Sequence, residues 1–391
     1  MEKYYSKFDV IMVFLASATY MTVYFYIEGY SLGLIISIIA SILLLIQHFS
    51  NLFTDKNLFF LWLNFVIFTL VFFMTFWINL GDPIEITKSI ILGIIYSIAI
   101  IIASNLYPSK RSLSIAKTII RIFIIINSVY SIFQFYFLKN FGFYPLLPWQ
   151  VQYAKISGFF GEPAHMAIFY LLIVFLKIKI YFFELFLHLL ALFLSSSLTS
   201  IYVLLLFAVK YIKLFYNSNH LRKNIKLIYI FVIVLFIFFN WETFENFYNY
   251  YSMRVQNFLT TPEKELSGFQ RFLSSLYIYP TLPIKEKIFG TGPGNSIWAI
   301  KNYSSHNYYT LIDRWGGFSP FFYELTSYGI IISTLLNFIY YKITVKKLAV
   351  NDFIYIQVLR LWSGFSINYS AIFVFILILY FSEPHNNKLS K

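Results

Sequence analysis

The run SIILGIIYSIAIIIASN, Ser89 to Asn105, decides how this chain folds. Its Ser, Gly, Tyr and Asn residues do not alternate with the Ile, Leu and Ala residues, as the polar positions of a barrel strand would. A helix satisfies its own backbone and can cross hydrocarbon, whereas an open strand cannot. Working outward, similar windows of about 18 to 22 apolar residues recur, each long enough to cross a core of about 30 Å. The expected spans are 9–27, 30–47, 58–78, 89–105, 115–138, 165–177, 180–195, 199–214, 228–240, 318–341, 353–366 and 369–381.

Composition agrees with the pattern. Of 391 residues, 59% are hydrophobic and 12% are charged, about half the charged share of a soluble domain. The expected fold class is all-α: a polytopic integral membrane protein with about 12 transmembrane helices and a large external loop. Lys3 and Lys7 precede an apolar run containing Ala16, Ser17 and Ala18, which looks like a secretory signal with its cleavage site. The apolar run continues past that point, so an uncleaved first helix is expected. Cysteine is absent, which excludes disulfides, thiolate nucleophiles and Cys-ligated metal.

With the N-terminus placed in the cytoplasm, 18 of the 30 Lys and Arg residues fall on that side and 10 on the other, Arg121 and Arg360 lying inside spans. This bias sets the orientation by the positive-inside rule. Much of the net charge of +13 then faces anionic lipid, and no nucleic-acid partner is needed to explain it. Three regions follow: 1–240, N-terminal helices with a short external loop at 139–164; 241–317, a large external loop; and 318–391, C-terminal helices. Long loops in compact proteins tend to carry function, and this one mixes aromatic residues with Pro and Gly. No inverted repeat of the transporter kind is visible.

The outer loops hold the candidate chemistry. In GFFGEPAHMA, Gly158 to Ala167, Pro163 suits the first helical position and Glu162 sits where a helix begins, its charge favoured by the dipole. One reading is a helix start alone. The other is a helix N-terminus whose Glu162 and His165 line a polar cavity at the membrane edge. Further along come SMRVQNF with Arg254, SGFQRF with Arg271, KIFGTGPGN from Lys287 to Asn295, and SSHNYYTLIDRWGG with His306, Asn307 and Arg314. With Lys155 these cations make a basic outer surface, and Arg forks match diphosphate oxygens.

GTGPGN lacks the Lys-Ser/Thr of a nucleotide loop and reads either as a plain turn or as an anion nest at Gly290, Gly292 and Gly294. No metal-binding motif occurs among the six scattered His residues, so a metal-independent mechanism is expected. The hydroxyls of SSSLTS, Ser195 to Ser200, are expected to bond helix carbonyls or a neighbouring helix. Glu184, His188 and Arg360 fall within spans, where each either pairs internally or marks a path for lipid or ion.

The ordered set K-x-x-G-F-F-G-E-P-A-H, then R-F, F-G-x-G-x-G and H-N-x-Y, resembles the O-antigen polymerases of the Wzy type and, more distantly, the O-antigen ligases. Both are polytopic glycosyltransferases of GT-C-like architecture. The resemblance implies transfer of a growing glycan from undecaprenyl diphosphate to a sugar hydroxyl of a lipid-linked repeat unit, at the periplasmic face of the bacterial inner membrane, and it makes both external loops periplasmic. It assigns the family's basic position to Lys155, where Arg is usual, its acid to Glu162, its large-loop arginine to Arg271 and its histidine to His306.

On that view His306 is the expected base, with Glu162 as second candidate, because imidazole titrates near working pH. Arg271, Arg254, Lys155 and Arg314 would stabilise the diphosphate, and His165 and Asn307 would contact glycan. No cofactor is implied. The implied partners are the undecaprenyl diphosphate-linked oligosaccharide donor and acceptor, membrane lipid and a chain-length regulator. A ligase acting on lipid A core, a flippase or other transporter of lipid-linked oligosaccharide, and a scaffold or sensor are the alternatives.

Overall fold

The structure is a computed structural model. It describes residues 2–216 except 29, 79–82, 144, 149, 151–155 and 196; scattered residues between 245 and 260; 279–303 except 293–294; 319–361; and 369–383. About 80% of the described residues are helical. The helices are α1 (Glu2–Met21), α2 (Leu32–Gln47), α3 (Asp55–Ile78), α4 (Pro83–Asn105), α5 (Lys110–Phe141), α6 (Pro163–Phe175), α7 (Phe182–Leu194), α8 (Leu198–Tyr216), α9 (Ile284–Phe289), α10 (Ser296–Tyr303), α11 (Pro320–Val345), α12 (Val350–Arg360) and α13 (Tyr369–Phe381).

By length and composition, the segments Ile86–Asn105, Lys110–Phe141 and Phe321–Val345 can cross a membrane. The apolar stretches of α2, α3, α6, α7 and α13 are shorter. The expected span 228–240 lies outside the described residues, as does the part of 353–366 beyond Leu361.

Local chemistry explains most boundaries. The Ser31 hydroxyl accepts from the Leu34 amide at 3.0 Å and caps α2, and Ser109 caps α5 through the Ser112 amide at 3.1 Å. Gly142 closes α5 at φ 71°, the left-handed position that favours glycine. The first helix departs from expectation. It ends at Met21 rather than continuing to 27, because Tyr26–Ile27 pairs antiparallel with Tyr30–Ser31 across a turn in which Glu28 adopts φ 51°.

Helices α6 and α13 form the centre of the bundle. Every residue from Met166 to Phe175 is buried, as is every residue from Ile372 to Phe381, which is what helices apolar on all faces require. Around them α1 packs on α2 and α5, α4 on α3 and α13, α5 on α7, and α6 on α8.

One end of the bundle is fixed by Lys347, just past α11. Its ammonium donates to the carbonyl of Leu106 and, at 3.4 Å, to that of Tyr380, and lies 4.1 Å from the centre of the Tyr107 ring. Lys347 thus joins the C-terminal ends of α4, α11 and α13 close to the start of α5. The Tyr380 hydroxyl donates to Asp9 of α1 at 2.8 Å, so the first helix also begins there. The far end of α5 and the head of α6 accordingly lie at the opposite end.

Candidate functional site

The turn ahead of α6 is held from below by buried amides on α5. Asn127, Ser128, Ser131 and Gln134 share one buried face of that helix. The Gly158 amide donates to Gln134 Oε1 at 3.0 Å, and the Phe159 amide donates to Asn127 Oδ1 at 2.7 Å. Gln150 reaches across from the preceding loop: its Nε2 donates to the Gly158 carbonyl, to the Phe160 carbonyl at 3.1 Å and to Ser157 Oγ at 3.0 Å. Gly158 has φ 62°, and a Cβ there would overlap the Asn127 amide, so both conformation and space demand glycine.

The network continues inward. Asn127 Nδ2 donates to the Tyr170 hydroxyl at 3.1 Å, Ser128 Oγ lies 2.6 Å from that hydroxyl, and His188 Nδ1 lies 2.9 Å from Ser128 Oγ. A buried polar network with each member bonded fixes one geometry, and here it fixes the backbone that presents Glu162.

Glu162 is the N-cap of α6 and Pro163 its first residue, as the sequence pattern indicates. The half-buried Glu162 side chain makes no capping bond, so its carboxylate is not spent on the helix. His165 follows three residues later, which places it on the same helical face. Its ring meets Tyr20 edge-on at 5.5 Å and Tyr24 at 6.1 Å. Tyr20 is fully buried, and its hydroxyl has no hydrogen-bond partner among the described residues. A carboxylate, an imidazole and aromatic rings at a helix head can orient hydroxyl groups. Of the expected site residues, the structure describes Glu162 and His165. Lys155, Arg254, Arg271, His306, Asn307 and Arg314 lie outside the described residues.

A second polar centre lies at a break in α11. Gly329 has φ 68° and ψ 171°, and the chain turns there. In a straight helix residues nine apart sit about 13.5 Å apart along the axis. Here Ser333 Oγ donates to the Glu324 carbonyl at 2.9 Å. The expected span 318–341 is therefore two pieces, because Gly329 meets no Cβ penalty in that conformation. The freed carbonyls are used: the Thr291 amide donates to Thr326 at 2.8 Å and the Gly292 amide to Ser327 at 2.9 Å.

The Gly290 amide donates to Glu286 at 2.8 Å, so these amides of GTGPGN serve the fold, as a turn would, and leave no nest for an anion at Gly290 and Gly292. Gly294 lies outside the described residues.

Beside the break, Arg360 at the end of α12 forms an ion pair with Glu324, and its Nη1 donates to Asn337 and Gln357, each at 2.8 Å. Arg360 is 4% exposed and Glu324 3%. Glu184 likewise pairs, with Arg121 at 2.5 and 2.8 Å. Ser195 donates to the Leu192 carbonyl at 2.6 Å and its Oγ lies 2.6 Å from Ser200 Oγ, which is the structural use expected of those hydroxyls.

Arg360 stands out in the sequence as a charge inside an expected span, whereas Glu324, Asn127, Ser128, Ser131, Gln134 and Gln150 carry no motif that singles them out. The available signal was polar residues at positions 127, 131 and 134 of an otherwise apolar helix, a spacing that puts them on one face.

No family model, curated protein or solved structure matches this chain. The described residues define a class, a helix bundle that includes, among those residues, three helices fit to cross a membrane. Within it stand a carboxylate at the head of a central helix and an ion pair at a broken one.

Proposed function

We propose that this chain is an O-antigen polymerase: a multi-pass inner-membrane glycosyltransferase that elongates glycan on undecaprenyl diphosphate at the periplasmic face. About twelve spans and the loop 241–317 would frame the site. The observation that carries the reading is the Glu162 carboxylate, held at the head of α6 by a buried network and not consumed in capping.

In the reaction the acceptor hydroxyl oxygen attacks the anomeric carbon of the donor sugar. The bond from that carbon to the diphosphate breaks, and the diphosphate leaves with its electron pair. The hydroxyl proton passes to His306, with Glu162 orienting the acceptor, and direct displacement inverts the anomeric configuration. Arg271, Arg254, Arg314 and Lys155 stabilise the leaving group, one well-placed donor being worth about 3 kcal/mol. His165 and Asn307 contact glycan. A chain-length regulator is the proposed protein partner.

The test is purified protein in vesicles with lipid-linked repeat units. A ladder of lengths should form without added metal or nucleotide and should fade in Glu162→Gln. A folded parent that makes no ladder overturns the proposal. In cells, loss of the protein should abolish long chains while single capped units persist; a ligase would instead leave the glycan off lipid A core altogether.

A transporter of lipid-linked oligosaccharide has one observation in its favour, the broken helix α11 with its buried Glu324–Arg360 pair, since discontinuous helices line many transport sites. Movement of a labelled lipid-linked sugar across protein-containing vesicles, with no ladder, would select it.

A further inference from the structure

At the end of the bundle opposite Glu162, a cleft of about 710 Å3 opens between the first turns of α5, the turn joining α6 to α7, and the residues just past α13. Five basic side chains line it: Lys110, Lys117, Arg121, Lys177 and Lys179. Among the described residues lining it, one is acidic, Glu383. Leu113, Ile178 and Phe381 supply apolar wall, and Ser114 and Thr118 supply hydroxyls. The volume is that of a small-molecule site.

The cations are held in place. Arg121 grips Glu184 through Nε and Nη2 and lies 4.7 Å from the centre of the Tyr181 ring, which fixes its fork at the cleft edge. Lys117 Nζ meets Glu383 at 2.9 Å. That hydrogen bond, with Lys177 nearby, holds the Glu383 carboxyl below its usual range. Lys177 itself adopts φ 50°, the left-handed position closing α6, where glycine would be less strained. A lysine placed there brings a fourth ammonium to the cleft at a conformational cost. With Arg121 neutralised by Glu184 and Lys117 paired with Glu383, the ammonium groups of Lys110, Lys177 and Lys179 leave the cleft cationic, and the Glu383 carboxylate occupies the place of an anion.

We infer that this cleft binds a phosphate-bearing anion, which displaces Glu383 from Lys117. Phosphate oxygens suit ammonium groups, and basic pockets at the cytoplasmic ends of membrane helices take anionic lipid headgroups. An anionic lipid and soluble phosphate share this chemistry. The site is independent of the proposed glycan transfer, since Lys117 and Gln134 lie about 25 Å apart along α5.

The experiment uses the full-length protein purified in neutral detergent. Native mass spectrometry counts retained phosphatidylglycerol against phosphatidylcholine, and melting temperature is followed with added inorganic phosphate. Retention of phosphatidylglycerol over phosphatidylcholine identifies the lipid as the source. A phosphate-induced rise in melting temperature, without lipid preference, identifies the soluble anion.

Lys110→Gln combined with Lys179→Gln should weaken binding about twenty-five-fold, from roughly fivefold for each lysine near anionic lipid. Glu383→Gln should tighten it by removing the internal competitor. Lys177→Gly should fold at least as well as the parent and still bind more weakly, so loss of binding cannot be laid to misfolding. Arg111→Gln, an exposed neighbour outside the cleft, should leave it unchanged. Absence of both lipid preference and phosphate shift in the parent, or parental binding in the Lys110/Lys179 variant, overturns the inference.

Discussion

Replacing Gly329 with alanine tests whether the break in α11 is a built feature of the fold. At φ 68° and ψ 171° the residue occupies a region essentially reserved for glycine, and forcing alanine there costs about 1 to 3 kcal/mol. Space adds to this, because the new Cβ would overlap the Ile288 carbonyl and crowd the Gly290 amide. To relieve the overlap the 289–292 loop must lift away. That movement gives up the bonds from Thr291 to Thr326 at 2.8 Å and from Gly292 to Ser327 at 2.9 Å, each worth about 1 kcal/mol.

The expected loss for Gly329→Ala is therefore about 3 to 5 kcal/mol. Gly142→Ala is the matched control: it has φ 71° but nothing within 4 Å of its Cβ position, so it should lose about 1 kcal/mol. Equilibrium unfolding of both variants in the same detergent, followed by helical circular dichroism, measures the difference. Equal losses in the two would refute the docking of the glycine loop into the break.

Three other outcomes are expected. Glu324→Ala, which strands the buried Arg360 guanidinium, should cost about 3 to 5 kcal/mol, whereas Glu324→Leu with Arg360→Met should come within about 1 kcal/mol of the parent; unfolding free energies check both. Asn127→Ala should destabilise the chain by about 1 to 3 kcal/mol by leaving the Phe159 amide unpaired, with faster hydrogen exchange at that amide as the local readout.

Burial pushes the Lys347 ammonium down to about 7, against about 10.4 in an unfolded chain. Between those values the folded state binds fewer protons than the unfolded one, so stability should climb as pH rises from about 7 and carry the full penalty below it. Melting temperatures at neutral and alkaline pH should show that rise in the parent and a flatter profile in Lys347→Met.

What could be read in advance follows from the range of the interactions. Helix α4 contains the whole of the opening run Ser89 to Asn105, and Pro163 sits at the first position of α6, because periodicity and capping act within a few residues. The break at Gly329 was not legible, since an isolated glycine in an apolar helix usually costs little and passes as packing. Only the approach of a loop some 40 residues earlier in the chain makes it a turn. The pair Glu324–Arg360 was hidden for the same reason: its members are 36 positions apart and meet through that bend. For the proposed glycan site, Glu162 and His165 fall on described backbone and six partners do not, so the grouping inferred from motif order remains the proposal's own.

The polarity of α5 supports a hydrocarbon surrounding without any appeal to average hydropathy. Its buried face carries Asn127, Ser128, Ser131 and Gln134, while Ile122, Ile126 and Val129 are each 51% exposed. In water this arrangement would be upside down, placing branched aliphatic side chains in solvent and amides in the core. Helix α3 repeats it, with Phe59, Trp62, Phe65 and Phe73 outward and Asn57 and Asn64 buried. Lipid removes the cost of exposing the aliphatic face and leaves polar contacts and close packing to hold helices together. A bundle arranged in this way has its polar groups inside to spend, and α5 spends them on fixing the turn that presents Glu162.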